Sequence, residues 1–430
     1  MRLLLLLLVF LYVVASQEEK PVRYILYDVN PGEGFNLRRD VYMRMAVFVK
    51  KLNKNYPDTY WVLVLPPWGH LYHWQSRQLG HQVRIPWSQF FNTASLNLYV
   101  PVMEFVDWIE EARGEVGAVY YLQGYKEGWK DGKFEEKFDI RDCLEEPRYM
   151  QNNEGSYDGA FFHFEGIKAK KFSCLSVQGH TSVVSEWVKD MQEQSIMFDR
   201  AENLLHDWFG DKEYWGARRS MRFSNELVER ANKFREDVLE SDDIKDNTEV
   251  AKDWRMQHNV ERKERGGAYG CVHLRRGDFA RSRRDQVPSI KWAGQQLSKR
   301  MKDLNLEVLF VSSDASKKEF EELSRNTKDV LLVRFEPTKK ELETYKDGGV
   351  AIIDQSICSH ARYFIGSRES TFTFRIQEER EIMGFKLEDT FDMLCGEGDY
   401  TCEGGTRWKI EWGEKEWETP SSTNSGRTEL

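Results

Sequence analysis

The sequence lacks several signatures that would place it in a common class of protein. Its 430 residues contain no Cys-x-x-Cys pair, no Gly-x-Gly-x-x-Gly loop and no Walker A loop. Zinc-ribbon, nicotinamide-binding and ATP-binding interpretations therefore lose support. No apolar run reaches the roughly 18 residues of a membrane-spanning helix. The net charge of -9 and the pI near 5.7 argue against a nucleic-acid partner, which selects a basic surface.

The Asp-x-Asp motif and the Asn-x-Ser/Thr sequon are also absent. Many enzymes that use sugar nucleotides hold a divalent metal on the diphosphate with Asp-x-Asp. We therefore predict no metal site, and neutralisation of any bound diphosphate by arginine, whose planar donor fork fits phosphate oxygens. Without a sequon, N-glycosylation is not expected.

The two ends of the chain indicate a cellular address. A basic residue, an apolar run over Leu3–Val14 and small residues to Ser16 are typical of a secretory signal peptide over 1–16. An uncleaved anchor is the alternative. The end Arg427-Thr428-Glu429-Leu430 approximates the Lys-Asp-Glu-Leu retention signal, on a tail over 419–430 that we predict to be disordered. We expect retention in the lumen of the endoplasmic reticulum, with secretion as the alternative.

A lumenal protein can form disulfides, and the six cysteines allow 15 pairings. Cys395 and Cys402 flank a short polar loop suited to a local bridge. Cys143 and Cys174 lie in loop-rich stretches and could pair. Cys271 and Cys358 lie in an apolar strand pattern and an apolar helix pattern, so we expect them to be buried free thiols.

Strand-like and helix-like runs alternate along the chain, which predicts an α/β fold with two doubly wound parallel sheets. The segment from about 185 to 264 is helical in pattern and strongly charged, with a break at 242–247. The predicted domains are 17–248 and 249–394, both Rossmann-like, and a Trp-rich segment over 395–418 that packs back on the body. The predicted strands are 22–29, 61–65, 116–122, 172–177, 269–274, 307–312, 330–335 and 363–366, and the predicted helices are 36–52, 287–304, 317–325, 350–361 and 371–383.

The segment 271–278 carries the strongest chemical signal. A strand ends in His273, Arg275 and Arg276, at the edge where doubly wound sheets bind ligands. Side chains alternate along a strand, so His273 and Arg275 share one face. An ion-pair cluster with Asp278 is the alternative to a phosphate site.

Two further segments are candidates for the same site. Residues 366–373 follow a strand and open a helix with Ser370 or Thr371 as N-cap, and such a helix start attracts anions. Asp354 is a carboxylate in an apolar helix pattern, which requires a hydrogen-bonding partner such as the N–H edge of guanine. A structural cap or an ion pair would explain either feature without a ligand.

Glu33 lies between Gly32 and Gly34, directly after the first predicted strand. Glycines allow the backbone to approach a ligand closely, and a carboxylate there could act as a general base on an acceptor hydroxyl. A solvated turn is the alternative.

At these residues the chain resembles the GDP-fucose protein O-fucosyltransferases, and among them the type that modifies thrombospondin repeats. The resemblance covers about Tyr24 to Trp412. The stretches that carry it are YDVNPGEGFNLRRDVY, WVLVLPPWGHLYHWQS, DRAENLLHDWFG, VHLRRGDF, FEPTKKELETYKDGGVAIIDQ and ARYFIGSRESTFTFRI.

The resemblance implies a GT-B fold, in which two Rossmann-like domains face each other across a cleft. It implies an inverting transfer of fucose from GDP-fucose to Ser or Thr of a folded thrombospondin repeat, with Glu33 as catalytic base and Arg275 stabilising the departing diphosphate. No further cofactor is implied. The predicted donor-binding residues are Gly32, Gly34, Phe35, Asn36, His273, Leu274, Arg275, Asp278, Asp354, Ser370, Thr371 and Phe372.

Two other functions stay open at this stage. One is a lumenal fucosyltransferase with another acceptor, such as an epidermal-growth-factor-like repeat. The other is a non-catalytic receptor or folding factor for disulfide-rich repeats. Intact Glu33 and Arg275 argue against the second, although a folding role beside catalysis is compatible with both residues.

Overall fold

The structure is a computed structural model that describes residues 20–69, 71–74, 76–128, 132–146, 148–257, 265–282, 287–399, 402 and 410–412. The predicted signal peptide, the predicted tail, Trp408 and Trp417 lie outside these residues. The chain forms two compact units that interleave in sequence. Unit 1 comprises Met1–Asp28, Met45–Leu65 and Val100–Leu205, and unit 2 comprises Val29–Arg44, Pro66–Tyr99 and His206–Leu430. The boundary near 248 that the sequence suggests stays a prediction.

Unit 1 is built on a nine-stranded sheet with a parallel centre. The strand order is β3-β2-β1-β9-β4-β8-β7-β6, and β5 pairs with β8. The pairs among β1, β2, β3, β9, β4 and β8 are parallel, whereas β5, β6 and β7 add antiparallel pairs. The strands are β1 Val22–Tyr27, β2 Tyr60–Leu65, β3 Val102–Glu104, β4 Glu115–Gln123, β5 Lys137–Arg141, β6 Met150–Gln151, β7 Tyr157–Asp158, β8 Lys168–Gln178 and β9 Ser195–Asp199.

Unit 2 contains a five-stranded sheet in which every pair is parallel. Its order is β12-β11-β10-β13-β14, so the chain winds outward in one direction and then reverses beside β10. Apolar side chains of the strands Gly267–Leu274 and Val308–Ser313 pack on the helix Ile290–Asp303 and form a core cluster of this unit. The strands are β10 Gly267–Leu274, β11 Val308–Ser313, β12 Leu331–Val333, β13 Ala361–Gly366 and β14 Asp392–Met393.

The helices connect the strands in the order expected of an α/β fold. Two of them begin with a capping box, in which Ser316 or Thr338 exchanges hydrogen bonds with a Glu three residues later. The helices are α1 Phe35–Asn55, α2 Thr93–Asn97, α3 Phe105–Ala112, α4 Ser185–Asp190, α5 Lys212–Ser220, α6 Asn225–Leu239, α7 Phe279–Ser282, α8 Ile290–Asp303, α9 Lys317–Asn326, α10 Lys339–Ser359, α11 Thr371–Met383 and α12 Leu387–Thr390.

Three of the predicted elements are wrong in part. The segment 185–264 is not helical throughout, because Ser195–Asp199 is a fully buried strand at the centre of the unit 1 sheet. The helix predicted over 287–304 begins at Ile290, after Pro288, because the Ser289 side chain is the N-cap and accepts a hydrogen bond from the Trp292 N–H. The helix predicted over 350–361 is the later part of a longer element, which begins at Lys339, where Thr338 caps it, and kinks at Lys346. Short apolar runs and interior glycines hide such elements from a periodicity argument.

All six cysteines are paired in the structure. Cys143 bonds to Cys174 and Cys395 bonds to Cys402, the pairings that the sequence suggests. The expectation that Cys271 and Cys358 are free thiols is wrong, because they form a disulfide between β10 and α10. The prediction that both cysteines are buried is confirmed, since both are 0% exposed. What the sequence hides is that α10 packs its Cys358 face on β10.

Trp412, from the segment predicted to pack back on the body, lies against the guanidinium of Arg219, with the ring centroid 5.0 Å from Cζ. The remainder of 395–418 stays a prediction. Among the residues described, no helix combines the length and apolarity that crossing a bilayer demands.

Candidate functional site

The sheet of unit 2 reverses its winding between β10 and β13. Ligands of doubly wound folds bind outside the carboxyl ends of the strands at such a reversal. Arg275 follows β10 and Ser367 follows β13, and the Arg275 N–H donates to the Ser367 hydroxyl at 2.8 Å. This hydrogen bond joins the two segments that the sequence marks as candidates for one site.

A cavity of about 370 Å³ opens at this edge of the sheet, within unit 2. Eleven of the thirteen residues predicted for base and donor binding line it. Leu274 and Asp354 do not, since Leu274 is buried in the apolar core of the unit. The predicted residues that line the cavity are Gly32, Glu33, Gly34, Phe35, Asn36, His273, Arg275, Asp278, Ser370, Thr371 and Phe372.

The Glu33 loop is held by its own backbone and by the helix that follows. The Glu33 N–H donates to the Asn30 carbonyl at 2.9 Å, and the Arg38 side chain returns to the Glu33 carbonyl at 3.1 Å. A Cβ at Gly34 would lie 3.3 Å from the His73 ring. The glycine therefore lets the loop carrying Glu33 pack directly against His73.

Arg275 has acidic partners on both sides of its guanidinium. One terminal nitrogen lies 2.7 Å from Asp278, and the other lies 2.8 Å from Asp314. The nitrogen that faces Asp278 also donates to Nδ1 of His73 at 2.9 Å. These contacts hold the guanidinium at the cavity wall, and a guanidinium can recognise an anion through two parallel hydrogen bonds.

The protonation of His73 follows from this contact. Arginine only donates, so Nδ1 of His73 is the acceptor and a neutral ring carries its proton on Nε2. Burial, reinforced by the Arg275 charge, lowers the pKa of His73. Beside it, the Tyr72 hydroxyl donates to Asp278 at 3.1 Å. Burial disfavours the Asp278 carboxylate, but Arg275 and Tyr72 outweigh it and lower the pKa of Asp278.

His273 is buried beneath the cavity floor and is neutral. Burial first, and the Arg275 charge second, lower the pKa of His273 to about 3. The Thr373 hydroxyl donates to the Ser367 carbonyl at 3.2 Å and accepts from Nδ1 of His273 at 2.8 Å. Nε2 is therefore the hydrogen-bond acceptor of the ring.

Helix α11 begins at the cavity with its first turn open. Ser370 occupies the N-cap position, as the sequence predicts, but its side chain accepts no hydrogen bond from the first turn. The 13-residue helix thus presents N–H groups and the positive end of its dipole to the space lined by Ser370, Thr371 and Phe372. Such a terminus is suited to phosphate oxygens.

Asp354 lies on α10, outside the cavity lining. Its Oδ2 accepts from the Ser312 hydroxyl at 2.8 Å, and its buried Oδ1 has no hydrogen-bond partner among the described residues. Burial raises the pKa of Asp354 to about 7, against the smaller opposing effects of Ser312 and Arg334. A half-satisfied carboxyl of this kind can take a ligand N–H.

Eight residues that line the cavity are not predicted from the sequence, among them Tyr72, His73, Trp74 and Asp347. The first three follow β2 in an aromatic and histidine-rich stretch, which is the signal that could have found them. Asp347 holds that stretch, because its carboxylate accepts from the Ser76 N–H at 3.1 Å and from the Gln82 amide at 2.9 Å. Nothing in the described part of the chain gathers three or more His, Cys, Asp or Glu side chains into a possible metal site.

Comparison of the sequence with known proteins identifies a family. The family model described as GDP-fucose protein O-fucosyltransferase matches residues 24–383. GDP-fucose protein O-fucosyltransferase 2 of Homo sapiens is 50% identical over 392 residues, which cover 91% of this chain and 90% of that protein. The Caenorhabditis elegans protein of the same name is 44% identical over 405 residues, with 93% and 92% covered.

Solved structures show the same fold. The crystal structure of POFUT1 in complex with GDP superposes with a TM-score of 0.55 at 15% identity, covering 87% of this chain and 99% of that one. POFUT1 in complex with GDP-fucose gives a TM-score of 0.54, also at 15% identity, with 88% and 99% covered. The fold is GT-B, as the resemblance implies, and it contains the two sheets described above, one with a parallel centre and one entirely parallel.

Proposed function

Because the chain belongs to the GDP-fucose protein O-fucosyltransferase family, we propose that it transfers fucose, with inversion, to Ser or Thr of folded thrombospondin type 1 repeats. Family membership makes it a glycosyltransferase that uses GDP-fucose. One observation carries the rest of the proposal: Glu33, Arg275 and the open start of α11 line a single cavity.

The diphosphate is expected to lie between Arg275 and the first turn of α11. Arg275 offers its guanidinium from the end of β10, and Thr371 and Phe372 offer backbone N–H groups. Asp278 and Asp314 already balance the Arg275 charge, so a bound diphosphate shares the guanidinium with them. Arg275 and the first-turn N–H groups of α11 are the donors that this wall of the cavity offers to phosphate oxygens.

The guanine is expected to lie toward Asp354. The two adjacent N–H donors of the guanine edge match a carboxyl group whose Oδ1 lacks a partner. The match needs the ionised form, and the pKa of about 7 makes that form available near neutral pH. Asp354 does not line the cavity in this structure. Binding of the guanine therefore requires side chains between the cavity and Asp354 to move.

The chemical step then requires one base and one stabilised leaving group. Glu33 accepts the proton of the Ser or Thr hydroxyl as its oxygen forms the bond to the anomeric carbon. The bond from that carbon to the β-phosphate oxygen breaks, and the electron pair leaves with GDP. Attack on the opposite face converts the β-linked donor into an α-linked product. Arg275 and the N–H groups of α11 stabilise the charge that develops on GDP.

Three features support a lumenal location in the endoplasmic reticulum. The apolar run over 3–14 resembles a signal peptide, and the last four residues resemble a retention signal. Three disulfides require an oxidising compartment. Disulfides form and persist in that compartment, so folded, disulfide-bonded repeats can be its acceptors there.

The test is an intact-mass assay with purified protein, GDP-fucose and a refolded thrombospondin repeat. We expect one added deoxyhexose on the folded repeat and none on the reduced repeat. A folded epidermal-growth-factor-like repeat should stay unmodified, and its modification instead would reassign the acceptor. Proton resonance of the product's anomeric position reports the α linkage and hence inversion.

The catalytic role of Glu33 is tested in parallel. Glu33→Gln keeps the shape and removes the base, so transfer should be lost while GDP binding, measured by calorimetry, persists. Glu321→Gln makes the same change on the exposed face of α9 and is the matched control. Near-normal turnover of Glu33→Gln would remove Glu33 as the base.

A further inference from the structure

Arg39 is a fully buried cation, and none of the described carboxylates forms an ion pair with it. Its side chain is 0% exposed, and its guanidinium lies 5.2 to 5.8 Å from the ring centroids of Phe223, Phe91 and Phe35. Nε contacts the Met221 sulfur at 3.4 Å, and Nη2 has no hydrogen-bond partner among the described residues. Buried charges are ordinarily paired, so this arrangement calls for an explanation.

The remaining nitrogen of Arg39 contacts two amide side chains. Nη1 donates to Oε1 of Gln355 at 2.8 Å and to Oδ1 of Asn36 at 3.2 Å. Gln355 in turn donates from Nε2 to Oδ1 of Asn36 at 2.9 Å. All three side chains are buried, and all belong to unit 2.

These contacts fix the orientation of the Asn36 amide. Arginine cannot accept a hydrogen bond, so the atoms that face it must be oxygens. Oδ1 of Asn36 is therefore committed to Arg39 and Gln355, and Nδ2 is left with its two donors on the other side of the amide. Asn36 also lines the cavity, in the turn that carries Glu33.

We propose that Arg39 and Gln355 are positioning residues of the donor site, which hold Oδ1 of Asn36 so that its Nδ2 donors are presented to the diphosphate. The inference rests on the proposed function, because it takes a nucleoside diphosphate as the occupant of the cavity. Gln355 directly follows Asp354 on α10. Helix α10 thus carries both Asp354, the expected contact of the guanine, and Gln355, which supports the contact of Asn36 with the phosphates.

The charge of Arg39 gives the arrangement an energetic consequence. In the empty site the cation is desolvated without an anion in contact, which opposes folding. A bound diphosphate brings negative charge to the other side of Asn36 and offsets that cost. Removing the cation should therefore weaken GDP binding without lowering the stability of the empty protein.

The experiment measures two quantities for each variant: the unfolding temperature without ligand and the dissociation constant for GDP. Arg39→Met keeps the apolar length of the side chain beside Met221. We expect an unfolding temperature equal to or above that of the wild type, and GDP binding weakened about tenfold, the usual effect of one charge-assisted hydrogen bond. Gln355→Glu should pair with Arg39, raise the unfolding temperature and also weaken GDP binding, because Glu cannot donate to Asn36.

The matched control is Arg235→Met. Arg235 is equally buried, but it pairs with Asp243 at 2.6 Å and with Asp246. Its loss should lower the unfolding temperature and leave the dissociation constant for GDP unchanged.

The outcomes separate the two levels of the proposal. GDP affinity within twofold of the wild type in both Arg39→Met and Gln355→Glu overturns the positioning role, whatever happens to stability. Weakened affinity in Gln355→Glu with undiminished stability supports it even if Arg39→Met folds poorly. Failure of the wild type itself to bind GDP overturns the proposed donor site instead.

Discussion

The ring of Phe372 lies on the ring of His273, with centroids 4.3 Å apart and planes inclined by 20°. His273 belongs to β10 and Phe372 to the first turn of α11, so the stack joins the two segments that form the expected phosphate site. Nδ1 of the same His273 donates a hydrogen bond to the Thr373 hydroxyl at 2.8 Å. The start of α11 is therefore positioned by a neutral, buried histidine.

Phe372→Ala should weaken GDP binding by loosening the start of α11. The stack contributes about 0.5–1.5 kcal/mol beyond its buried area, and a misplaced helix terminus loses its alignment with the phosphates. Calorimetric titration with GDP measures the effect. Phe391→Ala is the control: Phe391 is buried against Phe364, away from the cavity lining. It should lose about 3–5 kcal/mol of stability and bind GDP normally once folded.

Arg275→Lys should lower kcat by roughly 10²–10³-fold, the usual cost of one lost donor to a developing charge. Lysine keeps the charge but cannot span Asp278 and Asp314 while facing the phosphate. Initial-rate kinetics with GDP-fucose measures the change. The neighbouring Arg276 pairs with Glu319 at 2.9 Å and does not line the cavity, so Arg276→Lys should retain near-normal turnover. Equal losses in both variants would contradict a specific role for Arg275.

The parts of this site that the sequence predicts are those with local signals. A strand that ends in His273 and Arg275, and a helix that begins after Ser370, are visible in short stretches. Both lie where the structure places the cavity. The reversal of the sheet between β10 and β13 then brings them together.

The parts that the sequence does not predict depend on distant contacts. The stretch that carries His73 is held by a hydrogen bond from the Ser76 N–H to Asp347, 271 residues along the chain. Asp354 fails to line the cavity because its side chain turns toward Ser312. The strand β9 is five residues long, and no period can be read from so short a run.

The disulfide between Cys271 and Cys358 should be the main covalent support of unit 2. It closes a sequence separation of 87 residues, for which the chain-entropy model gives about 4–5 kcal/mol. The double variant Cys271→Ala, Cys358→Ala should lose most of that free energy of unfolding in urea. The Cys395–Cys402 bridge spans 7 residues, so its double Ala variant should lose less. If both double variants lost the same free energy of unfolding, the loss would not come mainly from loop closure, and the chain-entropy explanation would be wrong.

The raised pKa of Asp354 predicts opposite pH effects on stability and on binding. The folded protein keeps this proton up to pH about 7, whereas the unfolded chain releases it near the ordinary value of about 4. Between these limits the folded state binds more protons, so the contribution of Asp354 to stability falls as pH rises. Asp354→Asn should remove that fall, which urea unfolding at pH 5 and pH 8 would measure.

GDP binding should change in the other direction, because guanine needs the ionised carboxylate. The affinity of the wild type should rise from pH 5.5 to 8, while His273, with a pKa of about 3, keeps its charge constant over this range. The terminal phosphate of GDP also titrates near pH 6. The quantity to follow is therefore the ratio of wild-type to Asp354→Asn affinity at each pH. A ratio that stays constant would place the guanine elsewhere, while a ratio that grows through pH 7 identifies Asp354 as its partner.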